Sequence, residues 1–404
     1  MNLLFLTPQL PHPPRQGTAI RNWGLIKSLS ARHTLTLLTF AQPTETITPE
    51  LQAACQRIET VLPPIRALGQ RLRTLFTSAL PDLAHRLESS EFSHRLGQLL
   101  EKETFAAVFI EGLELAPYSE VIPDKTLIFD AHNCETSLQR RAFETDLRNP
   151  RRWPVALYSF IQARRLARFE SQTMSRVDYI TCVSTEDAAA LQALAPTRSV
   201  QPVIVPNGIF LSEYMPNRWR EPPTTGANPQ LVFTGKMDYR PNVDAATWFV
   251  HDILPHIQRE QPDVQFVIVG QKPTAAVQRL AEQPGVVVTG AVEDTRPYIT
   301  KAAGYVAPLR MGGGTRFKLL EALALGSPIV STAIGAEGFA VTSGNELLLA
   351  DTPVEFAQAV LKILNDQPQR QRLTEAGYKF VKGYDWGQIV PKVEALLSFL
   401  ERGL

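Results

Sequence analysis

The sequence predicts an α/β protein of two lobes, each a parallel sheet covered by helices on both faces. Short apolar, β-branched runs alternate with helix-period segments along both halves of the chain. The 404 residues exceed what one core accommodates, so two domains of about 180 to 200 residues are expected. Between the two series lies Met215 to Gln230, rich in Pro, Gly, Asn and Thr and without periodicity, which reads as a hinge. In the first half the expected strands are Leu3 to Thr7, Leu35 to Thr39, Ala106 to Ile110, Leu127 to Asp130, Tyr179 to Val183 and Val203 to Pro206. In the second half they are Leu231 to Thr234, Val264 to Val269, Val286 to Thr289, Tyr305 to Pro308 and Ile329 to Ser331. The expected domains are 1–208 and 209–385, with the last helix, 386–400, a candidate to pack back on the first.

Composition narrows the function classes. A net charge of +1 argues against a protein built to coat nucleic acid. Cys55, Cys134 and Cys182 lie far apart without a CxxC pair, so neither a disulfide framework nor a zinc site is indicated, and a reducing cytoplasm fits. The start, MNLLFLTPQLPHPP, lacks a basic n-region and meets prolines early, so no signal peptide is expected there. No apolar run is long enough to span a bilayer. The expectation is a cytoplasmic protein, soluble or peripheral at the inner face of the plasma membrane.

The most informative segment is Arg310 to Thr332, RMGGGTRFKLLEALALGSPIVST. Gly312, Gly313 and Gly314 carry no Cβ, so their amides can approach a ligand closely. Thr315 reads as an N-cap, and the helix behind it directs its positive end and open amides at whatever fills the loop. Arg316 and Lys318 stand in the first turn, where cations oppose the helix dipole, which points to an anion between them. Phe317, Leu319, Leu320, Leu323 and Leu325 bury the helix, and Gly326 with Pro328 ends it. Glu321, the one acid among them, is placed to accept a sugar hydroxyl of the same ligand; a solvated carboxylate on an ordinary helix is the alternative.

Taken in order, these motifs resemble a known family: the glycine loop from Thr7 to Gly17, DAHNCE at Asp130 to Glu135, VSTED at Val183 to Asp187 and VPNGI at Val205 to Ile209. FTGKMDYRPN at Phe233 to Asn242, VIVG at Val267 to Gly270 and the glycine-rich segment follow. The chain resembles the family-4 glycosyltransferases of GT-B architecture, two Rossmann-like domains facing across a cleft, and in GGGTRFKLLEA it is similar to sugar transferases of exopolysaccharide gene clusters. The resemblance implies a metal-independent, retaining transfer of a sugar from a nucleotide-diphosphate donor, UDP or GDP, to a hydroxyl of a glycan or lipid-linked acceptor, with no cofactor. The absence of an Asp-x-Asp pair near a strand end agrees with the metal-free implication.

By the same resemblance, Glu321 falls on the second glutamate of the family's Glu-x7-Glu motif, the one associated with the donor ribose, whereas Gly313 stands where the first glutamate would be. The sugar's hydroxyls then turn to amides of Gly312 to Thr315 or another side chain, and the donor sugar stays open. Lys236 matches the family's basic residue after the glycine of the second lobe's first strand, although Pro241 replaces the usual second lysine, so phosphate binding is expected to lean on Arg316 and Lys318. A solvated strand-end lysine is the other reading of Lys236. His132, at the carboxyl end of its strand, matches a histidine near the donor sugar, where it orients hydroxyls or stabilises developing charge. A structural histidine satisfied by Asp130 or Asn133 competes with that role. Gly17 fits the first-lobe glycine that admits the donor phosphates or acceptor, or is a plain turn. Val292 to Asp294 resembles the segment whose backbone reads the base.

One charge feature bears on the acceptor. From Arg140 to Arg168 there are eight arginines against two acids, with Trp153, Leu157, Phe160 and Ile161 on one helical face. Ile65 to Phe76 carries three arginines and no acid. Such a surface suits an anionic membrane or a pyrophosphate-linked lipid, or is simply solvated. The rival functions are a nucleotide-sugar epimerase and a catalytically silent nucleotide-sugar binding module. A nicotinamide dehydrogenase is disfavoured because PQLPHPPRQG, not G-x-G-x-x-G, follows the first strand.

Overall fold

The structure is a computed structural model that describes residues 1–14, 17–198, 200–214, 228–312 and 316–401. The chain divides into two compact units, Met1–Asn207 with Ile389–Leu404, and Gly208–Gln388.

The first unit is built on seven strands, β1 (Asn2–Thr7), β2 (Thr34–Phe40), β3 (Arg57–Val61), β4 (Ala107–Glu111), β5 (Thr126–Ala131), β6 (Tyr179–Cys182) and β7 (Val203–Ile204), in the order β3-β2-β1-β4-β5-β6-β7. All neighbours pair in parallel. The central strands read as continuous apolar runs, NLLFLT and AVFIE, because a parallel sheet is buried on both faces. Its helices are α1 (Gly17–Leu29), α2 (Pro49–Ala54), α3 (Leu68–Thr77), α4 (Ser90–Lys102), α5 (Glu135–Leu147), α6 (Trp153–Arg176) and α7 (Thr185–Leu194). VSTED is a helix start: Ser184 caps α7 through the Asp187 amide, and the Asp187 carboxylate accepts from the Cys134 amide, tying α7 to the loop after β5. Buried Glu170 of α6 accepts from the amides of Glu135 and Thr136, so it fills the open N-terminus of α5.

The second unit carries β8 (Gln230–Thr234), β9 (Gln265–Val269), β10 (Val286–Gly290), β11 (Gly304–Ala307), β12 (Ile329–Ser331) and β13 (Leu348–Leu349) in the order β10-β9-β8-β11-β12-β13, again parallel. Helices α8 (Arg240–Trp248), α9 (Leu254–Gln258), α10 (Ala275–Arg279), α11 (Arg296–Lys301), α12 (Phe317–Ala324), α13 (Pro353–Asn365) and α14 (Gln367–Val381) cover it. The last helix, α15 (Trp386–Glu401), begins in the second unit and continues among the residues of the first, where Glu394 accepts from His33 at 2.9 Å.

Every strand expected from the sequence is present, with ends moved by a residue or two. The edge strands β3 and β13 are additions: RIETV holds two charges and β13 is two residues long, so neither shows the apolar run that marks an interior strand. Gln230, expected in the hinge, opens β8, and most of that hinge (215–227) lies outside the described residues. Among the described residues no helix is long and apolar enough to cross a membrane.

Candidate functional site

In an open α/β sheet, ligands collect at the carboxyl ends of the strands where the strand order reverses. In the second unit that point lies between β8 and β11. The turn after β8 carries Gly235 and Lys236, and the turn after β11 leads through Gly312 into α12.

Close approach dictates the glycines here. A Cβ on Gly270, after β9, would stand 1.7 Å from the Gly235 carbonyl oxygen, so these two turns interlock only without a side chain. A Cβ on Gly235 would stand 2.6 Å from Asn242 Nδ2 and 3.1 Å from Lys318 Nζ. Gly312 has φ +115° and packs against Arg316, with its missing Cβ 2.9 Å from Nη2. A side chain there would both strain the backbone and displace the guanidinium.

The start of α12 differs from expectation by one residue. Arg316, in extended conformation (φ −88°, ψ 97°), holds the N-cap position in place of Thr315, and the helix proper begins at Phe317. An extended residue directly before the first helical one is what an N-cap is. Gly313, Gly314 and Thr315 lie outside the described residues. The far end follows the expected stop: Gly326 has φ +68°, and the Ser327 amide donates back to the Ala322 carbonyl. Leu319, Leu320, Ala322, Leu323 and Ala324 are buried. At about 1.5–3 kcal/mol per buried leucine, this packing is what sets the direction of the polar face.

That polar face presents Lys318 and Glu321. The Lys318 ammonium donates to Asn242 Oδ1 at 2.7 Å and lies 4.3 Å from the centre of the Phe233 ring. Burial, helped by the neighbouring Arg316 charge and only partly offset by Glu321, pushes it down to about 7. Glu321 accepts from the Tyr214 hydroxyl at 3.3 Å, and burial pushes its carboxyl up while Tyr214, Arg296 and Lys318 pull the other way. A half-buried lysine seated on an amide and a ring, beside a second cation at a helix N-terminus, is chemistry suited to an anion.

The structure thus gathers Gly312, Arg316, Lys318 and Glu321 on one stretch of the second unit. It leaves Lys236 apart: that ammonium is 40% exposed and faces Asp238 at 3.6 Å, while its carbonyl accepts from Asn242. Asn242 and Tyr214 are the contributors the sequence reading did not single out. Asn242 closes the FTGKMDYRPN segment without having been given a role, and Tyr214 sits just before the expected hinge, outside any motif. Arg296, the first residue of α11, pairs with Asp294 of the preceding turn at 2.9 Å.

In the first unit Gly17 opens α1 as an exposed residue. His132 follows β5, and here the sequence reading saw one member of a four-residue cluster. Glu111 ends β4 and Asp130 lies beside it in the parallel register. Both are fully buried, as is Arg21 of α1. Arg21 grips Asp130 with Nε (2.5 Å) and Nη2 (2.6 Å) and spends Nη1 on the Val205 carbonyl and Asn207. His132 Nε2 faces Glu111 at 3.3 Å and Asp130 at 3.4 Å. Burial alone would raise Asp130, but the Arg21 guanidinium holds it far below the usual carboxylate range. Burial and the Asp130 charge push Glu111 up. His132 loses by burial and gains more from its two carboxylates, reaching about 9. Glu111, Asp130 and His132 bring ligand-type atoms within 4.8 Å of one another. The bidentate Arg21 already takes the place a cation would need on Asp130. Two signals could have exposed the cluster: a glutamate closing the apolar strand AVFIE, and an arginine on the buried face of GTAIRNWGLIKSL.

A separate cavity of about 160 Å³ in the first unit is lined by Arg71, Leu75, Leu80, Asp82, Tyr158 and Arg165, between α3 and α6.

Comparison with known proteins adds the following. Residues 228–366 match the family described as Glycosyl transferases group 1. A phosphatidyl-myo-inositol mannosyltransferase of Propionibacterium freudenreichii subsp. shermanii is 28% identical over 237 residues, 56% of this chain and 57% of that protein. An uncharacterized 44.6 kDa protein in the cps region of Klebsiella pneumoniae is 22% identical over 167 residues, 39% of this chain and 43% of that protein. The chain thus spans about half the length of the relatives it matches. Among solved structures it is similar to Anabaena HepE in complex with UDP and glucose, with TM-score 0.68, 14% identity and coverage of 98% and 99%. Sucrose-phosphate synthase from Thermosynechococcus elongatus gives TM-score 0.71, 16% identity and full coverage of both chains. At such identities the likeness establishes the fold, the GT-B class with its two Rossmann-like units.

Proposed function

We propose that this chain, whose residues 228–366 match the group 1 glycosyl transferases, moves a sugar from a nucleotide-diphosphate donor to a hydroxyl of a glycan or lipid-linked acceptor, with retention and without a metal ion. The observation that carries this reading is Lys318: an ammonium seated on Asn242 and the Phe233 ring, beside Arg316, at the helix entry nearest the strand-order reversal, where burial pushes it down to about 7. Departure of the nucleoside diphosphate builds negative charge on its oxygens, and fixed cations that meet this charge lower the barrier. Each charge-assisted contact contributes about 1.5 to 3 kcal/mol, so two with a helix terminus can stand in for a divalent ion. Glu321, oriented by Tyr214, accepts a ribose hydroxyl of the donor. His132 of the first unit serves the transferred sugar. The names of the relatives support a glycolipid or surface-polysaccharide acceptor, and HepE, solved with UDP and glucose, supports a UDP-sugar, with GDP-sugars the other candidates.

The basic surface of the first unit is part of the proposal, as the seat for an anionic membrane at the inner face of the plasma membrane. Trp153 (58% exposed), Leu157 (61%) and Phe76 (84%) stand out in solvent among the arginines of Arg140–Arg168 and Ile65–Phe76. Apolar side chains interleaved with arginines match the boundary of acyl chains and anionic headgroups.

The test is a thermal-shift screen with UDP, GDP, ADP and their sugars, followed by release of the diphosphate with and without an alcohol acceptor. Stabilisation by a nucleoside diphosphate and acceptor-dependent release are expected. Absence of any shift across the panel would remove the reading. An altered free sugar, with no transfer to the alcohol, would favour an epimerase.

A further inference from the structure

The cluster at the ends of β4 and β5 contains a charge imbalance that one proton closes. Two acids, Glu111 and Asp130, stand side by side at 0% exposure, and the one fixed cation buried with them among the described residues, Arg21, is committed to Asp130. Thr181 also donates to Asp130. Glu111 is served differently. Its Oε2 faces His132 Nε2 and, with the Asn22 amide oriented to satisfy both its ends, accepts from Asn22 at 2.8 Å. Its Oε1 is buried without a hydrogen-bond partner. An ionised carboxylate so placed costs several kcal/mol unless a second cation faces it. His132 is the side chain positioned to be that cation.

We propose that Glu111 is a positioning residue that keeps His132 an imidazolium, with Nε2–H turned inward to the two carboxylates and Nδ1–H left as a cationic hydrogen-bond donor. His132 then offers that donor to a sugar oxygen, and does not act as a general base. A neutral ring whose Nε2–H is bound to carboxylates would instead offer Nδ1 as an acceptor, so the protonation state decides which chemistry the residue performs. No proton is transferred in this role; the charge is fixed before the donor arrives.

The groups facing the ring and its partner are Arg21 from α1, Glu111 from β4, Asp130 from β5, Cys182 from β6 and, beside Gly112, the Glu114 carboxylate. Cys182 is itself pushed up to about 12 by burial and so is neutral. Among the described residues the anions thus outnumber the fixed cation, in agreement with the raised value at His132; Glu111 is pushed up first by burial, and His132 opposes that rise. Such a pair titrates as a unit and holds a proton through neutral pH. Because the ring's value lies above its ordinary 6.5, its contribution to stability is complete below about 6.5 and is lost as pH rises through about 9.

The role toward the sugar rests on the proposed transferase function, whereas the protonation state does not, and the experiment separates them. In the full chain labelled with 13C-histidine, the His132 ring signal is assigned by its loss in His132→Asn and followed from pH 5 to 10. A midpoint near 9 is expected for the parent chain, and Glu111→Gln should lower it by about one unit or more. A parent midpoint at or below 6.5 overturns the proposal, and it needs no variant to fold. An unchanged midpoint in folded Glu111→Gln overturns it equally. The kinetic arm measures donor turnover: Glu111→Gln should lower kcat about tenfold above neutral pH with KM for the donor nearly unchanged. A chain that titrates as expected but turns over no nucleotide sugar would sink the transferase reading and leave the imidazolium in place.

Discussion

The two units handle buried charge in opposite ways. In the first, Arg21, Asp130, Glu111 and His132 answer one another within about 3.5 Å, two acids set against a guanidinium and an imidazole that completes the balance when it holds a proton. In the second, Lys318 meets an amide oxygen and an aromatic ring, and its carboxylate neighbour Glu321 is turned to Tyr214. A balanced cluster fixes geometry before any ligand arrives. An underbalanced cation stores affinity, because an incoming anion restores the charge that burial suppressed.

That contrast orders the mutational outcomes. The largest effect is expected at the balanced site: Arg21→Ala strands the Asp130 carboxylate in the core and should cost about 3–5 kcal/mol of unfolding free energy, read from urea denaturation. At the underbalanced site the same kind of deletion should leave the fold alone. Lys318→Met should keep or slightly raise stability while weakening nucleoside diphosphate affinity about 10- to 100-fold by calorimetry, since a charge-assisted contact worth about 1.5–3 kcal/mol is lost. Large destabilisation by Lys318→Met would erase the distinction between the two regions.

The pH dependence should also separate them. Burial pushes Lys318 down to about 7, and a bound anion is expected to bring it back toward its ordinary 10.5. Diphosphate binding is therefore expected to take up a proton between those values and to weaken as pH climbs above about 7, visible as a heat that depends on buffer ionisation. Binding with no proton uptake in Lys318's window would contradict the assignment. A smaller change is expected for Tyr214→Phe. It removes one hydrogen bond to Glu321, worth about 0.5–1.5 kcal/mol, and should weaken the nucleoside diphosphate more than inorganic pyrophosphate, because Glu321 is assigned to the ribose.

Much of this architecture was legible in the sequence because parallel strands buried on both faces leave continuous apolar runs; LLFL and VIV are visible where RIETV at an edge is not. Arg316, Lys318 and Glu321, proposed for the donor, could be named together because one short helix and its N-cap residue carry all three. Asn242 and Tyr214 were not, because their roles depend on turns from distant segments meeting α12. Arg21 and Glu111 were hidden differently: a charge inside an apolar pattern is visible, but its partner, 109 residues away for Arg21 and Asp130, is known only from the strand order. Thr315 illustrates the remaining error, a cap assigned one residue early because residue type alone does not fix where extended backbone turns helical.

The central claim is that Lys318 and Arg316 hold the diphosphate of an activated sugar. The measurement that addresses it most directly is a crystal structure of the full chain with a nucleoside diphosphate. The expected result places a phosphate oxygen about 3 Å from Lys318 Nζ, with the ribose hydroxyls turned to Glu321. A nucleotide bound elsewhere, with Lys318 still on Asn242 and Phe233, would contradict the account.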